Sequence, residues 1–404
     1  MALRLTGELA IETFREALAA YDWAQLHHNL AAAFLAAGQT DSSLAHFQRA
    51  YEMEPGDRET MEGLARALIK AERLQSAQQM LDRVLSQLPD DEELLRLLAF
   101  AQMGMGRDHE ALSTFWRAGL SAAEAHLRIG GAARERHIWQ RAREHYEAGL
   151  ETAPEDARLL DGLGTILVAD GDWRSALRLF RRAAEQDPSL ASPLRNIGLV
   201  NLHHRRLPEA LAALERARDL DTDDAKTWEL LGRAYAQSER RSDAMAAYDR
   251  AIEVQPARAE FYHKLAVLRQ DSGHMRESER LYREAIGRDP AHGKALYNLG
   301  YLLLEQERWA EAVTVIEDLL EKAPGRVLAY VNLANAHINL DDGSAAVEAY
   351  ERFLALYSDD DDAPQGAAAT ATAARETGLT MFGAAGTFDV LSKDRLIFEF
   401  SRRS

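Results

Sequence analysis

Apolar residues between Pro154 and Pro188 recur in two helical stripes. Leu160, Leu163, Gly164 and Leu167 stand at i, i+3, i+4 and i+7, and Trp173, Ala176, Phe180 and Ala183 continue the pattern after Gly171-Asp172. The spacing predicts two amphipathic helices joined by a tight turn. The unit then repeats. Prolines fall at 154, 188, 256, 290 and 324, with Thr222 and Ser358 in the same phase, so every step is 34 residues.

Ten units follow this frame, beginning at Ala24, Arg58, Glu92, Ala123, Ala157, Ala191, Ala225, Ala259, Gly293 and Val327. The eighth position of each is alanine or glycine: Ala31, Ala65, Ala99, Gly130, Gly164, Gly198, Gly232, Ala266, Gly300 and Ala334. The twentieth is alanine or serine: Ser43, Ala77, Ala111, Ala142, Ala176, Ala210, Ala244, Ser278, Ala312 and Ala346. Small residues at both columns let two helix axes approach closely. A large residue fills one second-helix column: Phe47, Leu81, Phe115, Tyr146, Phe180, Leu214, Tyr248, Tyr282, Ile316 and Tyr350.

These columns resemble the tetratricopeptide repeat family over residues 24–360. The resemblance implies an all-α fold, a right-handed α-α superhelical solenoid whose first helices line a concave groove. It implies protein or peptide binding, usually without catalysis, and it names no partner.

Local signals refine the frame. Asp57, Asp91, Asp156 and Asp224 sit where helix N-caps are wanted. The third unit spans 31 residues and lacks the turn proline, with Ser121-Ala-Ala-Glu124 supplying a capping signal. A shorter turn is expected there, as a tolerated deletion or as a bend separating repeats 1–3 (24–122) from repeats 4–10 (123–360). Residues 1–23 read as a capping helix on the first repeat, with a dimerisation helix as the alternative. Residues 361–378 read as a solvating helix. The tail, 379–404, carries two β-rich runs, with Phe388, Val390, Leu396, Phe398 and Phe400 on a possible β-hairpin. Such an apolar segment calls for a cover, on its own array or on a neighbouring molecule.

The chain has 404 residues, a net charge of −17 and no cysteine. The acidity argues against nucleic acid and anionic membrane as partners. The missing cysteines exclude disulfides and thiolate chemistry. No window of membrane-spanning apolar length occurs, and Glu8, Glu12 and Glu16 interrupt the N-terminal run, so a cytoplasmic location and no membrane insertion are expected. No metal-binding motif, phosphate loop or dinucleotide fingerprint is present, and adjacent histidines such as His27-His28 and His203-His204 diverge by about 100° on a helix. No cofactor, no metal and no catalytic residue are expected.

By position, the groove-facing candidates are Arg195, Asn196, Lys226, Arg233, Lys264, Lys294, Tyr297, Asn298, Tyr301, Asn332, Asn335 and Asn339. The two-carboxylate clamp that some relatives use is not complete in any triplet of repeats. Asparagine at the sixth position of successive repeats could instead hold an extended peptide backbone, since an amide donates and accepts at once. Asn29, Asn196, Asn298 and Asn332 occupy that position, the last two consecutively. The expected function is a non-catalytic adaptor that binds a peptide or partner protein. The alternatives are a regulatory or targeting subunit of an enzyme complex, and a scaffold that self-associates through its tail.

Overall fold

The computed structural model describes residues 2–357; the C-terminal solvating helix and hairpin expected at 361–404 lie outside the described residues. α1 (Ala2–Ala20) precedes ten helix pairs. These are α2 and α3 (Ala24–Ala36, Thr40–Met53), α4 and α5 (Arg58–Lys70, Leu74–Leu85), α6 and α7 (Glu92–Gly104, Asp108–Arg117), α8 and α9 (Ala122–Glu135, Trp139–Thr152), and α10 and α11 (Ala157–Ala169, Trp173–Gln186). They continue as α12 and α13 (Ala191–His203, Leu207–Leu220), α14 and α15 (Ala225–Gln237, Arg241–Val254), α16 and α17 (Ala259–Asp271, Met275–Arg288), α18 and α19 (Gly293–Glu305, Trp309–Lys322), and α20 and α21 (Val327–Asn339, Gly343–Tyr357). No strand occurs among the described residues. The fold is an all-α array of tandem helix pairs. It divides into two compact units, one ending at Val200 and the other beginning at Asn201.

The repeat columns become buried contacts. Ser43, Ala77, Ala111, Ala142, Ala176, Ala210, Ala244, Ser278 and Ala312 are wholly buried. Opposite them the large second-helix residues press on glycine. In the first unit the Tyr146 ring is held between Gly130 of α8 and Gly162 of α10, and Phe180 lies against Gly164. In the second, Tyr248 lies against Gly232 and Ile316 against Gly300. At the N-terminal end, Ile11 of α1 is buried with Leu30 and Phe34, so α1 covers the first repeat.

One turn geometry closes every pair. The middle residue of each three-residue turn has a positive φ: Gly38, Glu72, Gly106, His137, Gly171, Arg205, Glu239, Gly273, Glu307 and Asp341. In each, the next residue's N–H reaches back to a carbonyl five residues earlier, as Asp172 does to Leu167 at 2.9 Å. This is the Schellman closure, which satisfies carbonyls that the helix end would leave open. At Gly171 an added Cβ meets nothing within 4 Å, so a substitution there costs backbone strain alone. Gly171→Ala is therefore expected to lower stability by about 1–2 kcal/mol, measured by urea unfolding; an unchanged midpoint would contradict the left-handed turn.

The helix starts also follow local chemistry. The carboxylates of Asp57, Asp91, Asp156 and Asp224 accept backbone N–H groups of their own first turns, as expected of caps. Ser121 accepts from Glu124 N at 3.2 Å. The short third unit departs from expectation. Its connection to α8 is four residues long, 118–121, the same length as 153–156 after α9. The missing length comes from α7, which has ten residues where α9 has fourteen. Gly119, at φ +79°, stops α7 early, with its N–H bonded to Trp116 O and that of Leu120 to Phe115 O.

Candidate functional site

The residues predicted to face the groove all lie on first helices. In the second unit these are α14, α16, α18 and α20. Lys294 is well exposed and Lys264 half-buried on adjacent helices, both directed at Glu260, at 3.9 and 3.3 Å. Tyr297 is half-buried and Tyr301 is exposed on the same α18. Lys226 pairs with Glu229 at 2.8 Å, and Arg233 is half-buried.

The asparagines are more engaged than a free peptide-reading ladder requires. Asn298 Nδ2 lies 3.1 Å from His263 Nε2, from α18 to α16. Asn196 Nδ2 donates to Asp161 Oδ1 at 2.8 Å in the first unit, from α12 to α10. In both cases the sixth position of one repeat is braced on the fifth position of the repeat before. The physical reason is the side-by-side stacking of first helices, which brings these two positions within hydrogen-bond reach. Asn332 is buried, at 4% exposure, and Asn335 Oδ1 accepts from Tyr350 OH of its own repeat. Asn339 donates to Asn335 O and is exposed. Asn298 thus has a structural role beside any binding role, and Asn332 is withdrawn from solvent.

Around Asn196 the Asp161 carboxyl is pushed up by burial, against the pull of hydrogen bonds from Ser192 and Asn196 and the charge of Arg195. Around Asn298 a second polar cluster forms. Glu260 and His263 lie one turn apart on α16, and His292, the N-cap residue of α18, places Nε2 3.0 Å from Glu260 Oε2. His292 Nδ1 accepts the Ala295 N–H at 3.2 Å. His263 is 5% exposed, and its Nδ1 is buried without a hydrogen-bond partner. Burial pushes the His263 imidazole down to about 4. Burial raises Glu260, but Lys264, His292 and Lys294 outweigh it and hold the carboxyl below its usual range.

The adjacent histidines diverge as expected. His27 Nδ1 meets His46 Nδ1 at 2.8 Å, whereas His28 Nδ1 meets Thr60 Oγ1 at 3.0 Å. The histidines that do gather come from different elements, as His263 and His292 show. Glu260-x-x-His263, an i, i+3 pair on one helix face, was the available sequence signal for that cluster.

Models of the tetratricopeptide repeat match residues 34–101, 162–225 and 329–364. A model of the cytochrome c-type biogenesis protein H TPR domain matches residues 219–326. The chain belongs to the tetratricopeptide repeat family.

No curated protein matches this tetratricopeptide repeat chain. Among solved structures it is similar to Pseudomonas aeruginosa pilF, at 19% identity over 52% of this chain and 95% of that one, with a TM-score of 0.47. It is similar to YrrB, described as a TPR protein with an unusual peptide-binding site, at 18% identity over 48% of this chain and 97% of that one, with a TM-score of 0.41. Yeast Tom70 is similar over 92% of this chain and 93% of its own, at 15% identity and a TM-score of 0.41. At these values the likeness says nothing of ligand or partner. No described helix of the repeat array is long and apolar enough to cross a membrane.

Proposed function

We propose that this tetratricopeptide repeat protein is a non-catalytic interaction scaffold that takes a peptide or partner protein on its first-helix face. The observation that carries the reading is the placement of half-buried Lys264 on α16 and of exposed Lys294, half-buried Tyr297 and exposed Tyr301 on α18. Aromatic anchors beside charged groups are typical of protein interfaces. On a chain of net charge −17, these lysines favour an acidic or mixed segment over a basic one. The cytoplasm is proposed as the compartment, to be tested by cell fractionation.

The test is affinity capture followed by mass spectrometry, then titration of the captured partner. Tyr301→Ala with Lys294→Ala is expected to weaken binding at least about tenfold, roughly 1.4 kcal/mol. The melting temperature should stay close to that of the parent, because substitutions at exposed positions change stability by about 0.5 kcal/mol or less. Normal binding by the double variant would refute this site. Asn298→Ala, by contrast, is expected to lower stability as well, since it removes the brace to His263.

A further inference from the structure

We propose that Glu260, His263 and His292 form a binding site for one divalent transition-metal ion of the zinc class. Each offers one ligand atom, and the three atoms lie within 4.8 Å of one another. A carboxylate and two imidazoles are a donor set that suits zinc, cobalt, nickel or copper over magnesium or calcium, which prefer all-oxygen shells. The placement is built rather than incidental. Glu260 and His263 share one face of α16 at i, i+3, and His292 is delivered by the turn that starts α18.

The second observation is His263 Nδ1. It is buried and has no hydrogen-bond partner, whereas buried polar atoms are nearly always satisfied. A ring nitrogen kept out of water and left without a partner is a candidate ligand atom once its proton is displaced. Its other nitrogen, Nε2, faces Asn298 Nδ2, an amide donor, so the neutral ring carries its proton on Nδ1; ligation through Nδ1 moves that proton to Nε2, and the Asn298 amide must turn to accept it through Oδ1, as an outer-shell acceptor does at a metal. Exposure rises from His263, at 5%, to the Glu260 side chain, at 28%. The site thus has a dry floor and an open mouth through which an ion can enter.

Two costs follow from the same geometry, and both are measurable. Lys264 and Lys294 now balance Glu260, and a dication must compete with both ammonium groups. Removing one of them should therefore strengthen metal binding, a response that ions held at unrelated surface histidines would not show. The second cost lies at His292. Its Nδ1 accepts the Ala295 N–H, so the neutral ring carries its proton on Nε2, toward Glu260. Ligation through Nε2 moves that proton to Nδ1 and breaks the cap bond, so the Ala295 amide should exchange faster when metal is bound.

The experiment titrates Co2+ into the full-length chain without a histidine tag and follows visible absorption, then displaces it with Zn2+. One equivalent should develop the bands of four- or five-coordinate Co2+. Glu260→Gln and His263→Ala should each weaken binding at least about tenfold, and Lys294→Met should strengthen it several-fold. Circular dichroism checks that each variant folds; should His263→Ala unfold, Glu260→Gln at the accessible end of the site carries the test. Absent visible bands at one equivalent, or metal affinity indifferent to both Glu260→Gln and Lys294→Met, would overturn the proposal.

Discussion

Replacing Gly232 with leucine is expected to destabilise the second unit by about 1–3 kcal/mol or more, because it overpacks a closed contact. A Cβ at Gly232 would already stand 2.8 Å from Cε2 and Cζ of Tyr248. Tyr248 is 2% exposed, and Ala244 and Ala247 of the same helix are buried around it, so the ring has nowhere to move. Either the α14–α15 spacing widens or the ring leaves its rotamer, and both costs fall on the same repeat. Unfolding of a repeat array need not be two-state, so the measurement should be local: amide exchange along α14 and α15 beside the urea midpoint. Gly287→Ala is the control. Gly287 is an exposed helical glycine with nothing within 4 Å of an added Cβ, so alanine there should be neutral or stabilising by up to about 1 kcal/mol. Equal midpoints for Gly232→Leu and the parent would show that the small-residue column does not set the helix spacing.

Acidification from pH 7 to pH 5 is expected to destabilise the first unit through two paired imidazoles. His46 and His126 are both held below the ordinary histidine range. Burial is the largest cause, followed by His27 and Arg15 beside His46, and by His145 beside His126, with Glu151 opposing. In each pair Nδ1 faces Nδ1, at 2.8 and 3.0 Å, so one ring must donate and the other accept. The accepting rings are held by carboxylates: His27 Nε2 by Asp22 at 2.8 Å, and His145 Nε2 by Asp108 at 3.1 Å. Those carboxylates in turn pair with Arg49 and Arg141. The sign follows from proton counting. The unfolded chain takes up protons on His46 and His126 near pH 6.5, while the folded chain resists until lower pH. The unfolded state therefore binds more protons as pH falls below about 6.5, and stability declines, by up to about 1.4 kcal/mol per pH unit for each proton of difference. His126→Leu with His145→Leu should flatten part of this slope. Leucine already stands at the equivalent positions of the next repeat, Leu160 and Leu179, so the exchange preserves packing. Unfolding midpoints at pH 7 and pH 5 for parent and variant decide it; equal slopes would remove the pair from the account.

The sequence alone determined the helices and their order. A 34-residue period, small residues at the eighth and twentieth positions and a large one at the twenty-fourth leave a chain few ways to bury its apolar stripes. Nine of the ten predicted repeat starts are the starts of first helices, and the remaining one differs by a residue, Ala122 against Ala123. The aspartate caps were legible because a cap is a contact within one turn. What depends on contacts between repeats was not legible. Asn298 and Asn196 look like free amides along the chain, and only stacking shows them bonded to the preceding repeat. Gly162 stands outside the glycine column, yet the Tyr146 ring of the neighbouring repeat requires it. The short third unit read as a shortened turn, because a sequence shows that residues are missing but not that α7 gave them up. Glu260, His263 and His292 come together only because residues 29 apart, on α16 and at the start of α18, face one another across adjacent repeats. Period and pattern govern which surfaces must be buried. Side-chain partnerships between helices are settled by how those helices pack, and that information exists only in three dimensions.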